Sequence, residues 1–231
     1  MIFEQLFDQK SSTYTYIIAS GEGREALIID PVIEHSNEYS IMLNNLDLKL
    51  VKVIDTHIHA DHISALNELN KRTNCIRVMG EKSKSEVIDL RIKDGEKIKV
   101  EEVELQAIYT PGHTDCSYSF LMNDRVFTGD TLLINGSGRT DFQNGNAYDA
   151  YDSIFNKLLK LPEKTLVFPA HDYNGKKFST IENEKNNNPR LQVSSKEEYA
   201  DIMNNLNLAN PKMMDVAVPA NVKGLTLDNI N

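Results

Sequence analysis

The stretch V-I-D-T-H-I-H-A-D-H-I-S, from Val53 to Ser64, sets three of the chain's six histidines and two aspartates within eight consecutive residues. Histidine and aspartate are poor helix and strand formers, so local structure alone does not account for the cluster. His57 and His59 are two residues apart, and their side chains therefore face the same side of an extended segment. Because an apolar run precedes the cluster, we expect it at the carboxyl end of a strand.

Three further predicted strands run into a polar turn. The turns are P-G-H-T with His113, G-D-T with Asp130 and P-A-H-D-Y with His171, so that five of the six histidines follow predicted strands. Ligands of open sheets gather at the carboxyl ends of strands, and we therefore expect these turns to converge. Taken singly, Asp61 would suit a helix cap and Asp130 a turn after glycine. The joint pattern favours a shared role.

That role is metal binding. Neutral imidazoles and carboxylates are ligands of Zn²⁺, Fe²⁺ and Mn²⁺. The two cysteines, Cys75 and Cys116, form no C-x-x-C pair and stand outside the set. A catalytic site with open coordination positions is therefore favoured over a closed structural one. The residue types alone leave the identity of the metal open.

The pattern of apolar residues predicts an α/β fold. Two groups of strands, with helices before, between and after them, indicate a layered αββα or α/β sandwich. Strands are predicted at residues 13–20, 26–29, 49–56, 76–79, 97–100, 103–109, 118–122, 125–127 and 165–168. Helices are predicted at 35–46, 63–69 and 148–161, with two or three more around Ile181, Ile202 and Met214.

Composition limits the classes of protein to which the chain can belong. A length of 231 residues suits one domain, 1–231, with a short helical extension at its carboxyl end. The net charge of −9 disfavours nucleic acid and anionic membrane as partners, because both require neutralising cations. The start, M-I-F-E-Q-L-F-D, has no basic region typical of a targeting signal. We therefore expect a cytoplasmic protein.

The residues T-H-I-H-A-D-H, G-H-T, G-D and A-H-D resemble the metallo-β-lactamase superfamily, whose pattern is H-x-H-x-D-H. The resemblance covers residues 50 to 171 and implies a four-layer αββα sandwich with the metal at one edge of two packed sheets. Several chemistries are compatible with it.

A closer resemblance covers nearly the whole chain. The pieces Q-L-F-D, T-Y-T-Y, L-I-I-D-P-V, F-T-G-D-T-L-L-I, G-S-G-R-T-D-F-Q, F-P-A-H-D-Y, N-N-P-R-L and A-V-P-A-N together are similar to persulfide dioxygenases, relatives of glyoxalase II. S-G-R-T-D-F-Q and N-P-R-L discriminate best, because hydrolases share the metal motif. The resemblance implies an enzyme that uses one Fe(II) per chain to oxidise glutathione persulfide with O₂ and water to sulfite and glutathione.

The resemblance also implies roles for individual residues. The iron ligands of the family map onto His57, His113 and Asp130, which would leave coordination positions open for persulfide and O₂. Iron supplies a redox step that zinc, with no second accessible oxidation state, cannot supply. The remaining polar residues would lie behind the ligands or belong to a vacated second metal site: His59, Asp61, His62 and His171.

Substrate contacts are expected from Arg139, Tyr173 and Arg190. A guanidinium grips a carboxylate with two hydrogen bonds, which an acidic protein needs in order to hold an anionic tripeptide. Arg139 could instead pair with Asp141, Tyr173 could simply pack, and Arg190 could act as a structural clamp.

The main rival is a glyoxalase II-type hydrolase of thioesters such as hydroxyacylglutathione, with two zinc ions. All seven ligands for such a site are present, and residue chemistry alone would favour it, with Asp130 bridging the two metals. The sequence leaves open a homodimer, the thiol carrier, the role of Cys116 and the choice between sulfide detoxification and sulfur assimilation.

Overall fold

Two six-stranded sheets form the centre of the protein. The structure, a computed structural model, describes residues 1–211 and 213–230. The first sheet contains, in spatial order, β1 (Ile2–Asp8), β2 (Thr13–Ala19), β3 (Glu25–Ile29), β4 (Lys49–Ile54), β5 (Ile76–Gly80) and β6 (Leu90–Ile92). The second contains β12 (Ser179–Thr180), β11 (Leu166–Pro169), β10 (Arg125–Gly129), β9 (Tyr118–Leu121), β8 (Val103–Tyr109) and β7 (Lys97–Val100).

Helices cover the outer faces of both sheets. They are α1 (Ser36–Asn45), α2 (Leu66–Thr73), α3 (Ala147–Asn156), α4 (Ile181–Asn187), α5 (Lys196–Asn204), α6 (Met214–Lys223) and α7 (Leu227–Ile230). Residues of α1, α2 and α6 pack on the first sheet, and residues of α3, α4 and α5 pack on the second. Among the described residues, no helix has both the length and the apolar character needed to cross a membrane.

Three apolar clusters separate four layers. In β2, Tyr14, Tyr16 and Ile18 point into the cluster between the sheets, whereas Ile17 and Ala19 point towards the helices. Side chains alternate between the two faces of a strand, so a strand buried on both faces is apolar throughout. This arrangement confirms the predicted αββα sandwich.

Strand direction brings the predicted polar turns to one edge. β8 and β10 are both antiparallel to β9, and β10 is parallel to β11, so β8, β10 and β11 run the same way. In the first sheet, β4 is parallel to β3 and β5. The carboxyl ends of β4, β8, β10 and β11 carry the histidines and aspartates singled out in the sequence.

Two predicted helix boundaries are wrong. The helix predicted at 63–69 begins only at Leu66, because Ser64 forms an antiparallel bridge with Val32 and the Ile63 carbonyl accepts from the Ile33 N–H at 2.9 Å. The helix predicted at 148–161 ends at Asn156, and a single turn of 3₁₀ helix follows at Leu158–Lys160. Strands β1, β6 and β12 have no counterpart among the predicted strands.

Candidate metal centre

The polar turns meet at a single site. The turn from β4 to α2 supplies His57, His59, Asp61 and His62, and the turns after β8, β10 and β11 supply His113, Asp130 and His171. The ring centroid of His57 lies 4.2 Å from that of His59 and 4.9 Å from that of His113. The convergence of the four turns, predicted from the sequence, is present in the structure.

One subset has the geometry of a metal site. A ligand atom of each of His57, His113 and Asp130 lies within 4.8 Å of the other two, and His113 Nε2 is 3.4 Å from Asp130 Oδ2. Ligand bonds to zinc-sized cations of about 2.0–2.2 Å place ligand atoms at comparable separations. These three side chains can therefore share one cation.

Backbone carbonyl groups orient two of the imidazoles. The Nδ1–H of His113 donates to the Arg139 carbonyl at 2.8 Å, and the Nδ1–H of His171 donates to the Ser12 carbonyl at 3.0 Å. A carbonyl can only accept, so Nδ1 carries the proton and Nε2 is left as the ligand atom. Ligating histidines generally have such a partner, which fixes both tautomer and ring orientation.

A hydroxyl and a buried carboxylate orient His57. Thr56 donates its hydroxyl to Asp30 at 3.0 Å, so its oxygen accepts from the Nδ1–H of His57, also at 3.0 Å. Gly129, at φ +51°, packs against this threonine, and a Cβ there would lie 2.6 Å from the Thr56 hydroxyl oxygen. Glycine is therefore required just before Asp130 both by backbone conformation and by space.

A second subset lies beside the first. Ligand atoms of His59, Asp61 and His62 are within 4.8 Å of one another. His171 Nε2 connects the two subsets, at 3.5 Å from Asp61 Oδ2 and 3.6 Å from Asp130 Oδ1. The first subset can therefore hold one cation, and the second subset supplies donor atoms for another.

Unpartnered buried atoms support cation binding. His59 Nδ1, His62 Nε2 and Asp130 Oδ1 are buried and have no hydrogen-bond partner among the described residues. Buried polar atoms without a partner are rare and destabilising in native proteins. Asp130 belongs to the first subset, whereas His59 and His62 belong to the second, so a divalent metal at either subset would find a donor atom without another partner.

Burial and mutual proximity set the charges at the site. Burial, together with neighbouring imidazoles, holds the pKa of His57 and of His59 well below the ordinary value, so that both rings are neutral ligands. Burial lowers the pKa of His171 as well, but the carboxylates of Asp130 and Asp61 outweigh it and raise that pKa to about 10. In the metal-free protein the proton on His171 compensates these carboxylates; a cation would replace it.

Two buried aspartates behind the site had no role assigned from the sequence. Asp30 accepts from the His59 Nε2–H at 3.1 Å and from the Thr56 N–H at 2.7 Å. Asp55, also buried, accepts from the Ser64 hydroxyl at 2.9 Å. Burial raises the pKa of Asp55 well above its ordinary value, and the nearby Asp30 raises it further. Asp30 directly follows the apolar strand residues A-L-I-I, and Asp55 directly follows V-I. Their position at strand ends, like that of the histidines, was the signal that could have predicted this contact.

Asn221 in α6 clamps the backbone of the histidine-rich turn. Its side-chain amide donates to the carbonyls of His59 at 2.9 Å and His62 at 3.0 Å, and its oxygen accepts from the Ser64 N–H at 2.8 Å. The residue belongs to the A-V-P-A-N piece, which had no assigned role. It is about 160 residues from the turn along the chain, so no local sequence pattern indicates this contact.

A cleft of about 460 Å³ opens onto the site. Part of its wall is formed by the three predicted substrate contacts, Arg139, Tyr173 and Arg190. Another part is formed by apolar residues of the segment before α6, which are Leu208, Ala209 and Pro211. Cys116 does not line this cleft. It is buried, and its thiol lies 3.4 Å from the Thr114 hydroxyl.

The two arginines of the cleft differ in their partners. Arg139 forms a bidentate ion pair with Asp141, both bonds at 2.7 Å, and donates to the Ala209 carbonyl at 2.6 Å. Arg190 donates to the Ser137 carbonyl and, within the described part of the chain, faces no carboxylate at ion-pair distance. Its guanidinium keeps its charge uncompensated. Tyr173 is 70% exposed and stacks on His171 with ring centroids 6.1 Å apart.

Comparison with known proteins places this site in a family. The family model of the metallo-β-lactamase superfamily matches residues 9–171. Persulfide dioxygenase ETHE1, mitochondrial, from Mus musculus is 42% identical over 96% of this chain and 88% of its own length. The human protein of the same name has the same identity and coverage. The chain belongs to the persulfide dioxygenase family of the metallo-β-lactamase superfamily.

Solved structures and hydrolases complete the comparison. The crystal structure of ETHE1 from Myxococcus xanthus superposes with a TM-score of 0.94 at 49% identity, covering 96% of this chain and 98% of that one. Hydroxyacylglutathione hydrolase from Dictyostelium discoideum is 30% identical over 75% of this chain and 68% of its own length. The similarity to persulfide dioxygenases is therefore both higher and more extensive. It confirms the family inferred from the sequence.

The clamp formed by Asn221 makes a testable prediction. Asn221→Ala removes three hydrogen bonds that hold the backbone on both sides of Asp61, and Asn221→Asp keeps the acceptor but removes both donors. We expect both variants to bind a divalent metal about 10- to 100-fold more weakly, the usual effect of losing a group that orients ligands. Competition with a chelator measures the affinity.

The matched control is Asn229→Ala, which alters an asparagine of the same tail whose side-chain oxygen, within the described part of the chain, accepts hydrogen bonds only from Thr226. An Asn221→Asp protein with the metal affinity of the wild type would contradict the assignment of the two donor bonds as a clamp.

Proposed function

We propose that the protein is an iron-dependent persulfide dioxygenase that oxidises glutathione persulfide with O₂ and water to sulfite and glutathione. One Fe(II) per chain would be held by His57, His113 and Asp130. The observation that carries the proposal is the convergence of these three donors within 4.8 Å of one another in a chain of this family. The family's cofactor and substrate are inferred for this chain from its relatives.

The metal, when bound, would supply the redox chemistry with O₂ that a closed-shell zinc ion cannot provide. The chain's own task is orientation. The Arg139 carbonyl holds His113, and Thr56 with Asp30 holds His57, each by a hydrogen bond to Nδ1. Two imidazoles and one carboxylate on one side leave the cleft side free for the reactants.

The cleft supports an anionic thiol substrate. Among the described residues, the Arg190 guanidinium has no carboxylate partner at ion-pair distance. Arg139 is already paired with Asp141, and it donates a hydrogen bond to the Ala209 carbonyl in the wall of the cleft. A guanidinium with no competing acid is suited to grip a carboxylate of glutathione. His171 and Asp61 lie on the inner side of the cleft, where they can hold water and protons beside the persulfide.

Cellular context is part of the proposal. We infer a cytoplasmic protein acting as one domain over residues 1–231, without nucleic-acid or membrane partners, and we propose a homodimer as the assembly to test. The mammalian relatives are named as mitochondrial proteins.

Metal analysis combined with an oxygen electrode tests the function. We expect about one iron per chain and O₂ uptake that depends on glutathione persulfide. His113→Ala should lose both iron and O₂ uptake, because one of three ligands is removed, while Arg24→Met, which changes an exposed residue outside the cluster, should retain both. An active, iron-replete His113→Ala protein would refute the ligand assignment.

The hydrolase alternative rests on a specific observation, the second donor subset around Asp61 and His62. It predicts two metals per chain and anaerobic release of glutathione from hydroxyacylglutathione. Both assays can be run on one preparation. Thioester hydrolysis without O₂ consumption would replace the dioxygenase proposal.

Arg190 provides a test of substrate binding. Arg190→Met removes the charge while retaining an apolar stem, and we expect KM for glutathione persulfide to rise about 10- to 100-fold with little change in kcat, since a charged hydrogen bond contributes about 1.5–3 kcal/mol. Arg24→Met, at an exposed position, is the control. An unchanged KM would show that the substrate anion is held elsewhere.

A further inference from the structure

One loop is attached to two of the three proposed metal ligands. This ligand loop, residues 130–139, begins at Asp130, whose carbonyl accepts from the Gly138 N–H at 2.8 Å. It ends at Arg139, whose carbonyl accepts from the Nδ1–H of His113 at 2.8 Å. A Cβ on Gly138 would lie 2.2 Å from the Asp130 carbonyl oxygen and 2.9 Å from His113 Nδ1. The loop is packed so closely against both ligands that a shift of its backbone would move both.

A buried carboxylate lies behind the ligand loop. It belongs to Glu184 in α4, a residue with no exposed surface. Its Oε1 accepts from the Ser179 hydroxyl and, at 3.1 Å, from the Asn183 amide. Its Oε2 accepts from the Asn135 N–H and from the Asn188 amide, both at 2.8 Å. Both oxygens of this carboxylate are therefore satisfied, and one of the four donors is the backbone of the ligand loop.

Asn188 makes a second attachment to the same part of the loop. Its side-chain amide also donates to the Gly136 carbonyl at 2.9 Å. Glu184 and Asn188 thus hold the N–H of Asn135 and the C=O of the following residue, while they are hydrogen-bonded to each other. Asn188, like Glu184, has no exposed surface. The middle of the ligand loop is therefore fixed to the interior of the second helical layer.

The contact requires a carboxylate rather than an amide. A carboxylate accepts hydrogen bonds at both oxygens, whereas a glutamine side chain has one oxygen and an NH₂ group that can only donate. In either orientation of a glutamine at position 184, the NH₂ group would replace the acceptor of two of the four donors. Buried donors that lose their acceptor are costly. The loop backbone would have to move away from such a side chain.

The third proposed ligand is held independently of the loop. His57 follows β4 of the first sheet, and its Nδ1–H is held by the Thr56 hydroxyl, which in turn donates to Asp30. None of these hydrogen bonds involves residues 130–139. A displacement of the ligand loop should therefore affect His113 and leave the orientation of His57 unchanged.

We propose that Glu184 is a positioning residue of the metal centre, which acts through the ligand loop on Asp130 and His113. It does not touch the metal, but it fixes the backbone that holds these two ligands. The inference rests on the ligand set of the proposed function. Asn188 opens N-P-R-L and Gly136 directly precedes S-G-R-T-D-F-Q, so their hydrogen bond connects the two most discriminating pieces of the sequence.

The alternative is that Glu184 only stabilises the fold. Its helix also packs Ile181 into the apolar cluster of the second helical layer, and the loss of buried hydrogen bonds destabilises any protein. A loss of stability therefore does not separate the two roles. The metal affinity of the folded protein and the state of one particular imidazole do separate them.

Glu184→Gln is the decisive variant, because it keeps the shape of the side chain and removes one acceptor. Glu68→Gln is the matched control, since Glu68 is only 5% exposed and its carboxylate accepts from Arg72 and from the Leu227 N–H, away from the ligand loop. Denaturation by urea gives the free energy of unfolding of each protein. Competition with a chelator gives the affinities for Fe(II) and Zn(II) at a temperature at which all the proteins are folded.

Proton NMR of the Fe(II)-loaded protein without O₂ reports on the individual imidazoles. The paramagnetic ion shifts the exchangeable Nδ1–H signals of its histidine ligands away from the other resonances. Thr56→Val removes the acceptor of the His57 Nδ1–H and thereby identifies the signal of His57. The remaining signal is assigned to His113.

We expect Glu184→Gln to bind both metals about ten-fold or more weakly, in the range found when a group that orients ligands is lost. The His113 signal should shift or disappear and the His57 signal should stay, because only His113 is held by the ligand loop. Glu68→Gln should keep the affinities and both signals even where it is less stable. Wild-type affinity, an unchanged His113 signal, or an equal change in both signals overturns the proposal.

A second variant and a second metal keep the test decisive. If Glu184→Gln does not fold, Asn188→Ala, which removes the bond to the Gly136 carbonyl, is judged by the same two measurements. A wild type that binds metal but consumes no O₂ with glutathione persulfide refutes the dioxygenase, while the comparison of metal affinities still decides the role of Glu184. A wild type that binds neither metal overturns both proposals.

Discussion

Imidazoles and carboxylates crowd one edge of the sandwich, where burial removes the water that would otherwise solvate them. The desolvation of so many polar atoms is unfavourable unless each finds a partner, and three of them find none among the described residues. A divalent cation held by His57, His113 and Asp130 reduces this cost by satisfying nitrogen and oxygen donors at the same time, and the unpartnered nitrogens of His59 and His62 lie in the neighbouring subset. The cleft, the flanking hydrogen bonds and the chemistry all take their arrangement from that requirement.

Rigid supports hold the donors before any metal binds. The supports differ in kind: a backbone carbonyl for His113, a hydroxyl and carboxylate for His57, and an asparagine amide for the turn that carries His59. They also come from both sheets and from the last long helix. A site held from so many directions changes little in shape on metal binding, which favours one defined coordination geometry.

Much of this could be predicted from the sequence. His57, His113 and Asp130 follow strands, and the rule that strand ends converge was sufficient to bring them together. The αββα layers followed from two groups of predicted strands with helices before, between and after them. Helix boundaries were less predictable, as Ile63 shows, because its carbonyl is used by Ile33 in a contact that no local pattern reveals.

The supporting residues were hidden for a physical reason. Asn221 and Glu184 act through hydrogen bonds to residues far away in sequence, and such contacts have no periodicity. Arg139 illustrates a choice that the sequence left open, since both a substrate contact and a pair with Asp141 were expected, and the structure contains the pair. Which of several partners a charged side chain takes is decided by the fold.

The single-iron account is tested most directly by the number and position of bound metals. Crystals of protein loaded anaerobically with Fe(II), measured on both sides of the iron absorption edge, locate each ion by its anomalous scattering. The account predicts one iron per chain, bonded to His57, His113 and Asp130. A second iron between Asp61, His62 and His171, or an iron bonded to a different set of residues, would contradict it.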